Sequence, residues 1–218
     1  IKESGGPTDA YSLAREAIRI EREVLGENVG VQDQTHAAYG GLAVYHFGKQ
    51  NKGVGIARRQ VLIHEDTWDY INKSMVLVYT DIQRHASEVV SSQIEQTKQG
   101  SNSDYLNTMY EMVSEAKAIL EREGNEPQTL HDLGSLLNQS WSLKQNLGKG
   151  VTNATVNDIY NTGIDMGAWG GKLLGAGGGG FVMFLLNPEL IPAFRNEFGS
   201  NNVIPVSFTD YGSVIETV

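Results

Sequence analysis

Residues 175–180 read Gly-Ala-Gly-Gly-Gly-Gly and run directly into Phe-Val-Met-Phe-Leu-Leu, residues 181–186. Each glycine costs roughly 0.5–1 kcal/mol relative to alanine in an ordered element, so four in a row need a compensating reason. Positive φ at several positions, or close approach of the backbone to another loop or a ligand, supplies one. The run satisfies Gly-x-Gly-x-x-Gly literally, but a dinucleotide-binding turn needs a strand before it and a helix after it. The pattern here reads helix, glycines, strand, so an oxidoreductase reading fails on context; it would require a strand before Gly175. No Gly-x-x-x-x-Gly-Lys-Ser/Thr occurs either, because Leu173 follows Lys172. Against a plain flexible connection stands a second use of such a turn: consecutive backbone N–H groups can form an anion-binding nest. Glycine makes up 25 of the 218 residues, and nine of them lie between Gly163 and Gly180.

The net charge of −9 and a pI near 5.0 argue against a general binder of nucleic acid or anionic membrane, which would need a basic face. The longest apolar runs, near Met75–Tyr79 and Phe181–Leu186, fall far short of the ~18 residues of a membrane span. With no cysteine there is no disulfide framework, thiolate metal site or cysteine nucleophile, which agrees with a cytoplasmic location. Residue 1 is Ile and no signal-peptide pattern follows it, so the chain is expected to be part of a longer protein.

Along the chain, Pro7, Thr8 and Asp9 open a helical stretch. Leu13, Ala17, Ile20 and Val24 form its expected buried stripe, and Gly26 and Asn28 end it. Residues 42–47 and 55–63 read as strands joined by a polar turn, and Ser74–Tyr79 as a strand buried on both faces. The polar and aromatic segment His64–Tyr70 reads as a link between domains. Helical stripes follow, with Leu106, Met109, Val113, Ala116 and Leu120 in one and Leu130, Leu133, Leu137 and Trp141 in another. Asn153 is placed to cap a helix running to about Ala168, Pro188 to begin a short helix, and residues 203–208 to form a last strand. Strands at both ends of a helical block predict an α+β fold, with helices on one face of a mostly antiparallel sheet.

The segment Gly30-Val-Gln-Asp-Gln-Thr-His-Ala-Ala-Tyr-Gly-Gly41 carries a short helix-like piece with Asp33 where an N-cap would fall. Asp33 reads either as that cap, worth ~1 kcal/mol, or as a loop carboxylate able to meet a substrate hydroxyl. Glu21, at the edge of the preceding helix's buried stripe, reads either as a solvated partner of Arg15 or Arg22 or as a functional carboxylate. Arg84 and His85 begin a helix whose N-terminus could hold a substrate phosphate, or they form a solvated loop pair. The five histidines (36, 46, 64, 85 and 131) lack paired-ligand spacing, so no structural zinc is expected. Trp141 and Trp169 read as packing residues, and no Gly-x-Ser-x-Gly elbow supports serine hydrolase chemistry.

Taken together, Ala14–Gly26, Gly30-Val-Gln-Asp-Gln and Gly171-Lys-Leu-Leu-Gly-Ala-Gly-Gly-Gly-Gly-Phe181 resemble the GHMP small-molecule kinases. Arg84–Val90 and Leu137-Asn-Gln-Ser-Trp-Ser-Leu-Lys144 are similar to the D-glycero-D-manno-heptose phosphate kinases of that family. The likeness covers essentially the whole chain, with the glycine segment as its most specific part.

The resemblance implies a two-domain kinase using ATP and Mg²⁺. Residues 1–70 would be the end of a ribosomal-protein-S5-like domain, and residues 71–218 a ferredoxin-like GHMP kinase C-terminal domain that closes the cleft. It implies Asp33 as catalytic base, Glu21 as Mg²⁺ ligand, and Gly175, Gly177, Gly178 and Gly179 beside the nucleotide phosphates. Gln34, Tyr39, Gly40 and Arg84 would lie with the substrate, a heptose phosphate or related sugar phosphorylated at its anomeric hydroxyl. The family's nucleotide segment, Pro-x-x-x-Gly-Leu-Gly-Ser-Ser, would precede the Glu21 helix and does not occur in the chain. A missing N-terminal segment or a second chain would then supply it. The alternative expectation is a non-catalytic GHMP-like subunit that binds a sugar phosphate or regulates a partner.

Overall fold

The computed structural model describes residues 9–50, 53–83 and 86–214. The chain divides into two compact units: one takes in the chain up to Val61 and again from Phe208, the other runs from Leu62 to Ser207.

In the first unit, α1 (Ala10–Arg19) starts at Asp9, whose Oδ1 accepts from Ser12 N at 2.8 Å. This is an ordinary side-chain cap. Pro7 and Thr8 lie outside the described residues. α1 buries Ala14 and Ile18 and packs on α2 (Gln32–Tyr39), which buries Thr35 and Ala38. The expected stripe is thereby corrected: Ile20 and Val24 are exposed. The reason is local. Residues Ile20–Val24 form a π-helical turn, with Leu25 N bonding Ile20 O at 2.9 Å, so the 3.6-residue period no longer holds beyond Arg19. β1 (Ala43–Lys49) and β2 (Val54–Gln60) pair antiparallel, with Ala43 opposite Gln60 and Lys49 opposite Val54. The chain returns to this unit after Ser207, where Thr209 O accepts from Gly41 N at 3.3 Å and Ser213 bonds Ala37.

The second unit contains α3 (Glu65–Ser74), β3 (Met75–Tyr79), α4 (Ala86–Gln99), α5 (Ser103–Leu120), α6 (Glu126–Lys144) and α7 (Ala154–Asp165). Then come β4 (Gly170–Leu173), β5 (Phe181–Leu185), a short 3₁₀ turn at Pro188–Leu190, α8 (Ile191–Phe198) and β6 (Val203–Pro205). The four strands form one antiparallel sheet in the order β4-β5-β3-β6. The fold is α+β. One sheet face, carrying Val76, Val78, Leu173, Val182, Phe184 and Val203, packs with Trp141 of α6, Val156 of α7 and Phe194 of α8. Phe184 is fully buried, and a Cβ on Gly163 would collide with its ring, so α7 can approach the sheet only through glycine at that point. Among the described residues no helix is long and apolar enough to cross a membrane.

Two further expectations are corrected here. The segment His64–Tyr70 is not a link but the start of α3, capped by His64 Nδ1, which accepts from Asp66 N at 3.4 Å. Its buried face is largely small and polar (Thr67, Ile71 and Ser74), which hides a helix from a hydrophobic-periodicity reading. A strand rather than a helix precedes the glycine run, because α7 ends at Asp165 and β4 intervenes. Gly170-Gly171-Lys-Leu has no strand pattern of its own; it is a strand because β5 pairs with it and α6 lies against it. A Cβ on Gly170 would overlap the backbone of Gly134 in α6. The glycine run is therefore the loop of a β4–β5 hairpin. The dinucleotide reading still fails, since an antiparallel strand and not a helix follows the glycines.

Candidate active site

The two predicted carboxylates meet in one open cleft of about 490 Å³ in the first unit. Leu13, Ala17 and Glu21, spaced by four, line one wall, and Asp33, Gln34 and Ala37 of α2 line the other. The volume suits a small-molecule ligand, for which clefts of roughly 300–1,000 Å³ are usual. Glu21 is the second residue of the π turn, and π turns recur at functional sites. Gln34 joins the two walls: its Nε2 donates to Glu21 Oε2 at 2.7 Å. Asp33 is exposed and stands in the first turn of α2, one residue inside the helix, so it is not the N-cap; Val31 occupies that position. Asp33 makes no capping bond, and it lines the cleft. A larger concavity of about 910 Å³ runs along α1 by Arg15, Arg19 and Arg22, but it contains none of the predicted site residues. Arg19 there is paired with Glu16 at 2.7 Å.

Tyr39 and Gly40 do not line the cleft. The Tyr39 ring lies 5.8 Å from the Arg58 guanidinium and 6.0 Å from the Tyr45 ring. Burial, then neighbouring Asp9, holds its hydroxyl above the ordinary tyrosine range. Gly40 is buried under the returning chain: its φ is 64°, and a Cβ would overlap the backbone of Tyr211 and Gly212. Arg84 and His85 fall outside the described residues.

The glycine turn of the second unit borders a concavity of about 600 Å³ with Tyr79, Ile82 and Phe181. Four of its six carbonyl groups are taken by donors of the protein itself. Lys144 Nζ donates to Gly175 O, Gln93 Nε2 to Ala176 O at 3.1 Å, Asn153 Nδ2 to Gly178 O at 2.9 Å, and Thr80 N to Gly180 O at 2.9 Å. Gly178 N and Gly180 N bond Val151 O and Ile82 O. The N–H groups of Ala176 and Gly179 have no partner among the described residues, leaving a partial positive edge of the kind that suits phosphate oxygens. Gly177 and Gly179 are sterically required: a Cβ would come within 2.8 Å of the Val151 backbone and 2.6 Å of Ile82 O.

Sequence reasoning missed the residues that hold this turn. Asn153 was expected only as a cap, and it does cap α7, accepting from Val156 N at 3.0 Å; the same amide's nitrogen holds Gly178. Lys144 and Asn138 stand in the stretch that resembles the heptose phosphate kinases, so that stretch was the available signal. Asn138 Oδ1 accepts from Tyr160 Oη at 2.8 Å and from Gly171 N at 3.0 Å, closing the outer edge of β4 where a further strand would otherwise pair.

A model of the C-terminal region of the GHMP kinases matches residues 112–203. The chain is 33% identical over 212 residues to the D-glycero-alpha-D-manno-heptose 7-phosphate kinase of Campylobacter jejuni, a match covering 94% of this chain and 59% of that protein. It is 26% identical over 177 residues to the mevalonate kinase of Thermococcus sibiricus, covering 81% of this chain and 48% of that one. It shares its fold with a D-glycero-D-manno-heptose 1-phosphate kinase of Bacteroides thetaiotaomicron, with a TM-score of 0.67 and 23% identity over 97% of this chain and 57% of the other. The chain thus spans somewhat more than half the length of these heptose phosphate kinases. Its α+β architecture, its glycine hairpin and these matches agree: the chain belongs to the GHMP kinase family.

Proposed function

We propose that this chain is the greater part of an ATP-dependent sugar kinase that transfers a phosphoryl group to a hydroxyl, the anomeric one, of a heptose phosphate or related sugar. The observation that carries the reading is the meeting of Glu21 and Asp33 in one cleft, with Gln34 bridging to Glu21. Asp33, free of a capping role and lining the cleft, is placed to take the proton of the acceptor hydroxyl as its oxygen attacks phosphorus. Because the phosphoryl-transfer transition state is loose, positioning and charge neutralisation dominate the catalysis. The N–H edge of the glycine turn supplies donors for phosphate oxygens, and four of its carbonyl groups are already taken by donors of the protein.

Glu21 fits the role of a Mg²⁺ ligand: one carboxylate oxygen is on Gln34, and the other has no partner among the described residues. Mg²⁺ is commonly held by one or two carboxylates plus phosphate oxygens and water, so a single helical carboxylate is chemically sufficient on the protein's side. Bound there, Mg²⁺ would neutralise charge on the transferring phosphates. The unit up to Val61 is, on this reading, the closing part of the family's N-terminal domain.

The test is product analysis by ³¹P NMR, using the protein expressed from its complete reading frame with Mg-ATP and a panel of sugars and sugar phosphates. ADP formation that depends on a heptose phosphate, with a new anomeric phosphate resonance, is expected. Saturable sugar-phosphate binding with no ATP turnover across the panel would instead make the protein a non-catalytic subunit.

A further inference from the structure

Gln34 presents a conflict within one side chain. Its Nε2 is satisfied by Glu21 Oε2 at 2.7 Å, while its Oε1 is fully buried with no hydrogen-bond partner among the described residues. A buried acceptor without a donor destabilises the fold, and native structures contain few of them. Turning the amide over would not relieve it, because Oε1 would then face the Glu21 carboxylate, oxygen against oxygen. The orientation that leaves Oε1 unpaired is the only one in which Glu21 receives a donor.

The two ends of this bond are not equally fixed. Gln34 stands on α2, whose Thr35 and Ala38 are buried and whose Ala37 carbonyl is tied to Ser213. Glu21 stands on the π turn, which buries no residue and whose Val24 is 60% exposed. The bond therefore transfers the fixed position of α2 to a carboxylate that its own turn holds loosely.

We infer that Gln34 is a positioning residue for Glu21: it clamps one carboxylate oxygen and aims the other into the cleft, at the cost of its own buried carbonyl. The inference rests on the reading of Glu21 as the cation ligand. It assigns Gln34 to the metal side of the site, since Nε2 is taken by Glu21 and Oε1 is buried out of reach of an acceptor sugar. Partners that orient a metal ligand in this way typically contribute 10- to 100-fold to metal affinity or activity.

The experiment uses the full-length protein with Gln34→Met and Gln34→Leu, two apolar replacements of different length, beside Glu21→Gln. Thermal midpoints, Mn²⁺ binding by EPR in the presence of a non-hydrolysable ATP analogue, and the Mg²⁺ dependence of turnover are measured. Both Gln34 variants should melt at or above the wild-type temperature, since the orphan acceptor is gone. Mn²⁺ affinity should fall 10- to 100-fold, and half-maximal rate should need correspondingly more Mg²⁺, with the acceptor KM unchanged. Loss of fold in both variants, or a raised acceptor KM with unchanged Mn²⁺ affinity, would overturn the inference. If Glu21→Gln alone weakens Mn²⁺ binding, only the role of Gln34 falls. If Glu21→Gln binds Mn²⁺ as the wild type does, the metal assignment falls and the role of Gln34 with it.

Discussion

Ser213 gives both of its donors, the backbone N and Oγ, to a single acceptor, the carbonyl oxygen of Ala37, each at 2.9 Å. The segment after Ser207 is thereby laid along the helix that carries Asp33 and Gln34, and Ser213 itself lines their cleft. Close packing makes this contact demanding at the neighbouring residue: a Cβ on Gly212 would overlap the Ala38 carbonyl. Gly212→Ala should destabilise the protein by about 1–3 kcal/mol, the usual cost of overpacking against backbone. Ser213→Ala, which loses one exposed hydroxyl bond and keeps the backbone one, should cost no more than ~1 kcal/mol. Urea denaturation of the two variants checks the order; equal effects would mean that the segment is not tightly packed on α2.

Asn138 serves three groups at once, with Tyr160 Oη and Gly171 N on its Oδ1 and Trp169 O accepting from its Nδ2 at 3.3 Å. Asn138→Leu leaves all three without that partner, and each buried group so stranded costs about 1–3 kcal/mol. Asn138→Asp keeps the acceptor and loses only the donor, so it should fall between Leu and the wild type in urea midpoint. Equal midpoints for Leu and wild type would show that water replaces the amide at this edge.

Gly177→Ala and Gly179→Ala should distort the glycine turn, whereas Gly175→Ala meets no atom within 4 Å and is opposed only by its φ of 66°. Nucleotide affinity of the full-length protein, measured by calorimetry, should therefore fall more for the variants at 177 and 179 than for the one at 175. Uniform effects at the three positions would point to lost flexibility rather than lost shape.

Lys172, half-buried on β4 with no partner among the described residues, is held below the ordinary lysine value of 10.5 by desolvation. The folded state binds this proton more weakly than the unfolded chain does, so the charged amine is destabilising below its folded pKa. That penalty fades as pH rises through the folded pKa and is gone by about the ordinary lysine value. Lys172→Met should raise the urea midpoint at pH 7, and the gain should shrink steadily as the solution is made alkaline. A gain independent of pH would assign the effect to packing.

How much of this was legible in the sequence depended on whether a residue's neighbours in the chain decide its structure. The Asp9 and Asn153 caps, the apolar run of β3 and the three long helices α4–α6 follow from local chemistry, and the structure has them. β4 was not legible, because Gly170-Gly171-Lys-Leu is held as a strand by β5 on one side and by Asn138 on the other. The π turn after Arg19 was not legible either: it leaves Ile20 and Val24 outside and continues the Leu13–Ala17 line to Glu21. Family resemblance pointed to Asp33 and Glu21; the Gln34 bridge between the walls that carry them needed coordinates.

Replacement of Asp33 by Asn in the full-length protein tests the base assignment most directly, because it keeps shape and removes the proton acceptor. With saturating Mg-ATP and sugar phosphate, turnover should drop by about 10²- to 10⁴-fold while nucleotide affinity is unchanged. An Asp33→Asn enzyme that turns over at the wild-type rate would contradict the assignment.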